Sequence, residues 1–197
     1  LKLPIDIQKI IQHFKKLPGI GTKSAERFAF HLLQWTSNEL SQFSDQLKNL
    51  QNIKNCSTCR CLKDADKCFF CKNPARDSSV LCVISNPKDV FAIEQTNSYK
   101  GLYYVFTHTL SPIEDKYPDP NEIDNLKQLI LNSKTKEVLL ALDATLSGDA
   151  TSLFLKEQLK DLEIKISRLA FGVPIGSSLE FIDEGTLTQA LIGRQSF

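Results

Sequence analysis

The stretch "CSTCRCLKDADKCFFC" carries the spacing Cys56-x2-Cys59-x8-Cys68-x2-Cys71, which constrains this chain more than any other feature. Each C-x-x-C pair presents two thiolates to one ion. Two such pairs across a short loop supply a tetrahedral Zn²⁺ set, with sulfurs at about 2.3 Å. Four protein ligands leave no open coordination position, so one structural Zn²⁺ per chain is expected, not a catalytic one. The ion would fold a segment that has few apolar residues of its own. Cys61 could stand in for Cys59, although Cys59 keeps both pairs at the same spacing. Disulfides are the competing use of these residues, and they suit an oxidising compartment. The start, "LKLPIDIQKIIQHF", interleaves charge with apolar residues and has no small-residue cleavage site. No run of about 18 apolar residues exists, so nothing is expected to span a membrane. A cytoplasmic, metal-binding setting follows for the cysteines. The lack of Met, even at position 1, points to a missing initiator or short leader. Cys82, in an apolar run, reads as a small buried hydrophobe.

The cysteine segment divides two patterns. Before it, Ile7, Ile10, Ile11 and Phe14 fall at helical spacing over 5–16, and Pro18 ends that run. A second helix is expected from Thr22 to about Trp35, with Ala25, Phe28, Ala29 and Leu32 on one face. A third covers "TSNELSQFSDQLKNLQNI", where Thr36 and Glu39 fit a capping box and Leu40, Phe43, Leu47 and Leu50 form the stripe. After it, "KNPARDSS" reads as a linker. "SVLCVIS", "LYYVFT", "EVLLAL" and "EIKISRLA" then read as strands, with helices at 87–96, 121–132 and 149–160 between them. That alternation predicts a mainly parallel α/β sheet with helices on both faces and ligand chemistry beyond the strand C-termini. The expected class is α+β in several modules. Charge follows the same division. Residues 1–77 hold 13 Lys/Arg against 7 Asp/Glu, a net of +6, and residues 78–197 hold 11 against 16, a net of −5. A basic front suits an anionic partner and an acidic back a basic protein; solvated surface charge would look the same.

"LPGIGTKSAERFAFHLL", residues 17–33, sets two glycines at the mouth of the second helix. A dinucleotide fingerprint needs a preceding strand and a third glycine, but here a helix precedes Gly19 and Ser24 stands in the third place. Helix, short hairpin and helix is instead the helix–hairpin–helix pattern. Gly19 and Gly21 let main-chain N–H groups approach a phosphate, and the helix offers its positive end to the same anion. Lys23 and Arg27, four apart, would reach adjacent phosphates. Such contacts read no base, so DNA binding should be non-specific and salt-sensitive. A purely structural turn between two core helices is the alternative.

Taken in order, these elements resemble the RecR family of recombination mediator proteins. The hairpin, the four cysteines, "LCVISNPKDVFAIEQTNSYKGLYYVF", "LSP" at 110–112, "GDAT" at 148–151 and "GVPIGSSLEFIDEGTLTQALIGR" carry the resemblance across nearly the whole chain. It implies a helix–hairpin–helix domain over 1–54, a zinc finger over 55–72, a Toprim domain over 78–172 and a Walker B-like segment over 173–197. It further implies tetrameric rings able to encircle DNA, acting with RecO and RecF to load RecA onto strands coated by single-strand-binding protein. Residues matching Lys23 and Arg27 would touch DNA, and the Toprim face would meet the partner proteins.

The Toprim region departs from the pattern of its catalytic relatives. Those that cut or prime nucleic acid gather a glutamate and an Asp-x-Asp pair around Mg²⁺. Here position 85 is Ser, Asp143 and Asp149 are six apart, and Ser147 stands where an acid is usual. Two carboxylates so spaced make a poor Mg²⁺ cage. Asp149 reads more simply as a helix cap and Asp143 as a polar or partner contact. No phosphate loop accompanies "LEFID" at 179–183, which reads as an apolar strand ending in acids. The "LSP" stretch runs into "IEDKYPDP" instead of a glycine-bearing loop. His31 is expected half-buried, His108 could line the α/β crevice, and Trp35, Tyr103 and Tyr104 read as core. The chain is thus expected to be a non-enzymatic DNA-binding scaffold, with a Mg²⁺-dependent nuclease or primase-like enzyme as the alternative.

Overall fold

The structure is a computed structural model that describes residues 3–64, 67–111 and 114–194. The chain divides into two compact units, 1–53 and 54–197.

In the first unit, α1 (Ile5–Phe14) and α2 (Thr22–Leu32) pack against each other. Their contact is built from Ile11, Ala25 and Ala29, with Ile7, Phe14 and Ile20 at its edge. Alanine at 25 and 29 leaves so little side chain that the helices approach closely, and both residues are buried. Phe14 and Phe28 close the contact edge-to-face, with ring centroids 5.7 Å apart. α3 (Ser37–Asn49) begins at the expected capping box: Thr36 Oγ1 accepts from the Glu39 amide, and Glu39 accepts from the Thr36 amide. Of the α3 stripe, only Phe43 is partly covered, edge-to-face against Trp35 with ring centroids 5.5 Å apart. Leu40, Leu47 and Leu50 are all exposed, and no residue of α3 is buried. His31 is exposed too, not half-buried, because it lies on the face of α2 away from Ala25 and Ala29.

The second unit is a four-stranded parallel sheet. β3 (Asp77–Ile84), β4 (Gly101–Val105), β5 (Glu137–Ala141) and β6 (Lys165–Arg168) run in the order β4-β3-β5-β6. Between them come α4 (Asp89–Gln95), α5 (Pro120–Ser133) and α6 (Leu146–Gln158). Successive residues of a strand face opposite sides, and both sides here are apolar. Leu81, Val83, Leu102, Tyr104, Val138 and Leu140 pack under α5 and α6. Cys82, Ile84, Tyr103 and Val105 face the other way, toward Val90 of α4.

Helices lie on both faces as expected, but the second face has little helical cover. α4 is only seven residues long, and the remaining cover is the cysteine module, whose Cys56, Cys59, Cys61, Cys68 and Phe70 join the same core. The module holds a two-stranded antiparallel ladder, β1 (Lys54–Asn55) with β2 (Leu62–Lys63). A parallel sheet must be covered on both faces, and a thiolate module does here what a longer helix does elsewhere. "KNPARDSS" is no free linker either. Its Arg76 lies over the rings of Phe70 and Tyr103, at 5.0 and 5.3 Å from their centroids, and donates to Glu94 and to the Gly101 carbonyl. It thereby ties module and sheet together.

Two further expectations are overturned near the C-terminus. Leu179–Phe181 of "LEFID" is a 3₁₀ turn, not a strand, because no strand among the described residues offers it a ladder; Asp183 then caps α7 (Glu184–Ile192). α6 starts at Leu146 with Thr145 as its cap, so Asp149 lies inside the first turn and pairs with Arg168 at 3.1 Å. Pro112 of "LSP" lies outside the described residues.

Candidate functional site

The hairpin joining α1 to α2 carries the first candidate. Gly19 has φ +78°, the left-handed region that favours glycine. Gly21 has φ −81° and ψ 173°, ordinary extended backbone open to any residue. A Cβ built on either glycine meets nothing within 4 Å. The chain's own packing therefore does not demand glycine at 21, and the missing side chain leaves bare backbone facing open space. α2 begins next to that space. No side chain caps its N-terminus and no acid sits in its first turn, so its leading N–H groups and positive end remain available to an anion. Lys23 and Arg27 are exposed on the same helix, and neither forms an ion pair among the described residues. The Arg27 guanidinium lies 5.6 Å from the ring centroid of Phe28.

The second candidate is the cysteine cluster. The Sγ atoms of Cys56, Cys59, Cys68 and Cys71 all lie within 4.8 Å of one another, and both Cys56–Cys71 and Cys59–Cys68 are 3.5 Å apart. Four sulfurs at about 2.3 Å from a common centre stand about 3.8 Å apart, so the set fits a tetrahedral ion closely. Cys61 is buried but stays outside the set, its thiol directed at the Cys59 carbonyl 3.8 Å away. Burial opposes ionisation of Cys56, yet amide hydrogen bonds from Cys59 and Thr58 outweigh it and bring its thiol down to about 7. Cys59 is pushed up, first by its contact with Cys61, and Cys71 is pushed up by its contact with Cys59. A cation bound among them would stabilise all four thiolates together. Cys82, buried and away from the cluster, has its thiol raised to about 12 by burial alone.

The third candidate lies at the C-terminal ends of the strands. The chain passes from β3 outward to β4 and then returns to β5 on the other side of β3. The carboxyl ends of β3 and β5 thus flank a topological switch point. The crevice there is lined by Ser85, Thr107, Thr109, Asp143, Thr145 and Ser147. Ser85 donates to Asp143 at 3.4 Å. Gly148 is required at this point, because a Cβ on it would stand 1.9 Å from the Asp143 carbonyl oxygen. Among the described residues, only the four cysteines bring three or more potential ligand groups together; Asp143 and Asp149 do not form such a set. His108 is not a lining residue of the crevice.

One arrangement here escapes the sequence reading altogether. Glu122, in the first turn of α5, is fully buried. It accepts hydrogen bonds from the backbone amides of Thr107 at 2.7 Å and His108 at 3.1 Å, lies 2.7 Å from His108 Nδ1, and pairs with Arg60. Arg60 comes from between Cys59 and Cys61 in the cysteine module, where it holds a left-handed φ of 61°. A first-turn glutamate is ordinary helix chemistry, and an arginine between cysteines carries no pattern, so neither residue stands out in the chain.

Comparison with known proteins agrees with these modules. The RecR helix-hairpin-helix family matches residues 7–50, the Toprim domain 79–170 and the RecR C-terminal family 172–195. The chain is 50% identical over 198 residues to the recombination protein RecR of Protochlamydia amoebophila, with 100% of both chains covered. It is 47% identical over 200 residues to that of Chlamydia trachomatis serovar D and 46% identical to that of Chlamydia caviae, again with 100% of both chains covered. In the described residues no helix is long and apolar enough to cross a membrane.

Proposed function

This chain belongs to the RecR family of recombination proteins, and from that premise we propose that it is a DNA-binding recombination mediator that performs no chemistry on the strand. It acts in the cytoplasm as a ring-forming scaffold of four copies, with RecO and RecF, to promote RecA loading. The observation that carries this reading is the bare hairpin. Gly21, the N-cap of α2, is glycine where neither a left-handed φ nor packing demands it, in front of a helix end with no side-chain cap, flanked by Lys23 and Arg27. A phosphate backbone is the ligand such a surface fits, since N–H donors, helix dipole and two cations all favour the same anion. Gly19, Gly21, Lys23 and Arg27 contact DNA of any sequence. One hairpin touches few phosphates and binds weakly; several copies in a ring raise the effective concentration of the rest.

Cys56, Cys59, Cys68 and Cys71 hold one structural Zn²⁺, which closes the module over the sheet and supplies no catalysis. The domains follow the ranges 1–54, 55–72, 78–172 and 173–197. The acidic 78–197 half, with Asp143 at its crevice, receives the partner proteins. The enzyme alternative rests on Asp143 at the switch point and requires Mg²⁺-dependent cleavage or priming that Asp143→Asn abolishes.

The test is RecA assembly on single strands coated by single-strand-binding protein, with RecO present. Adding this protein should shorten the lag before filament growth, and Lys23→Ala with Arg27→Ala should remove the effect. An unchanged lag with the unaltered protein, or Mg²⁺-dependent turnover of the strand, overturns the reading.

A further inference from the structure

We infer that the metal centre sets the order of the crevice rim, through Arg60 and Glu122 acting as positioning residues. The inference rests on the reading that the four cysteines hold a metal, and it assigns that metal a role beyond bracing its own loop.

The chain of contacts is continuous. Arg60 is carried on the knuckle between Cys56 and Cys61. There its amide donates to the Cys56 carbonyl at 2.9 Å, and the Cys56 amide donates to Cys61 at 2.8 Å. The knuckle is docked on the sheet by the Val105 amide, which donates to the Cys59 carbonyl at 2.9 Å. From that position the Arg60 guanidinium reaches Glu122 and lies 5.9 Å from the Tyr104 ring centroid. Glu122 in turn holds the amides of Thr107 and His108. Thr107 and Thr109 line the crevice with Ser85 and Asp143. The far end of the same loop is held independently by α6, where Thr151 accepts the Leu110 amide at 2.9 Å.

The rim thus has two anchors, and only one depends on the cysteine module. A fully buried carboxylate is held in place by the cation and donors that surround it. Once the knuckle opens and Arg60 withdraws, Glu122 loses its charged partner and the contact that fixes its position. Its hold on the Thr107 and His108 amides weakens with it. The hairpin belongs to the other compact unit and contributes no residue to this clasp. Metal loading therefore governs the crevice.

The experiment is hydrogen exchange on the full chain at one pH, with metal content measured on the same samples. Arg60→Gly suits the left-handed backbone at 60 and keeps all four cysteines, so it should retain one metal per chain. Exchange at Thr107 and His108 should nevertheless speed up by about tenfold or more, as expected for losing a charge-assisted hold. Glu122→Gln should show the same local loss, metal-stripped protein should show it together with the wider loss that uncovering the sheet brings, and Arg60→Lys should restore part of the protection. Binding of a labelled oligonucleotide should stay unchanged in Arg60→Gly. In Arg60→Gly, unaltered protection at 107–108, or loss spread equally over β3 and β5, overturns the inference. A wild-type chain without metal overturns both this inference and the metal reading, whereas unchanged exchange with metal present overturns this inference alone.

Discussion

Replacing Lys23 and Arg27 together by alanine turns the hairpin into a counting experiment. Both side chains are exposed on α2 and neither forms an ion pair among the described residues, while alanine is the best helix former, so the fold should survive. Each phosphate neutralised contributes about 0.9 to the slope of log K against log salt on duplex and about 0.7 on single strands. Two lost contacts make the line shallower by about 1.8 or 1.4 per engaged hairpin. Between 50 and 200 mM salt, unaltered protein should therefore lose roughly 12-fold more affinity than the double variant on duplex, and roughly 7-fold more on single strands. Fluorescence anisotropy on a labelled oligonucleotide across that range measures both slopes. Because the difference multiplies with the number of hairpins on one strand, the same titration counts engaged copies. Parallel lines for the two proteins would refute the argument that these residues meet phosphates, whatever the affinity at any single salt concentration.

Three further outcomes follow from named contacts. Gly21→Ala should cost no more than about 1 kcal/mol of stability, the cost of a poorer N-cap, since its backbone is ordinary and its surroundings empty, yet weaken oligonucleotide binding by about tenfold through the lost close approach; equal affinity would mean nothing approaches there. Cys59→Ser should lose the metal while Cys61→Ser keeps it, as metal analysis would report. Uncovering Phe70, Tyr103 and Ile84 after metal loss should cost roughly 5 kcal/mol and lower the melting of the second unit by about 10–20 °C. Gly148→Ala must displace the start of α6 from the Asp143 carbonyl and should destabilise that unit by about 1–3 kcal/mol in denaturant melts; a neutral effect would contradict the close approach.

The parts of this protein that were legible in the chain are those whose chemistry is local. Two C-x-x-C pairs declare a thiolate site because the knuckle geometry lies within four residues. The hairpin is readable because Gly19, Gly21, Lys23 and Arg27 sit within nine positions of one another. The capping box at Thr36 and Glu39 is similarly contained in one turn. Strand and helix types in the second half followed from apolar runs, although their ends shifted by a few residues where caps such as Thr145 took over from Asp149. "LEFID" misled because a short apolar run becomes a strand only when a neighbouring strand offers it a ladder.

By itself, then, the sequence determined the modules and their order: a glycine hairpin ahead of a helix, four cysteines at metal-ligand spacing, and a parallel α/β sheet. Only the tertiary structure decided that the cysteine module covers the second face of that sheet, that Arg76 clamps it there, and that Arg60 and Glu122, 62 residues apart, meet beneath the crevice rim. Spacing along a chain records what neighbours do within a turn or a knuckle. The burial of a lone carboxylate is set by which distant residues the packed sheet brings to it, and no local pattern encodes that.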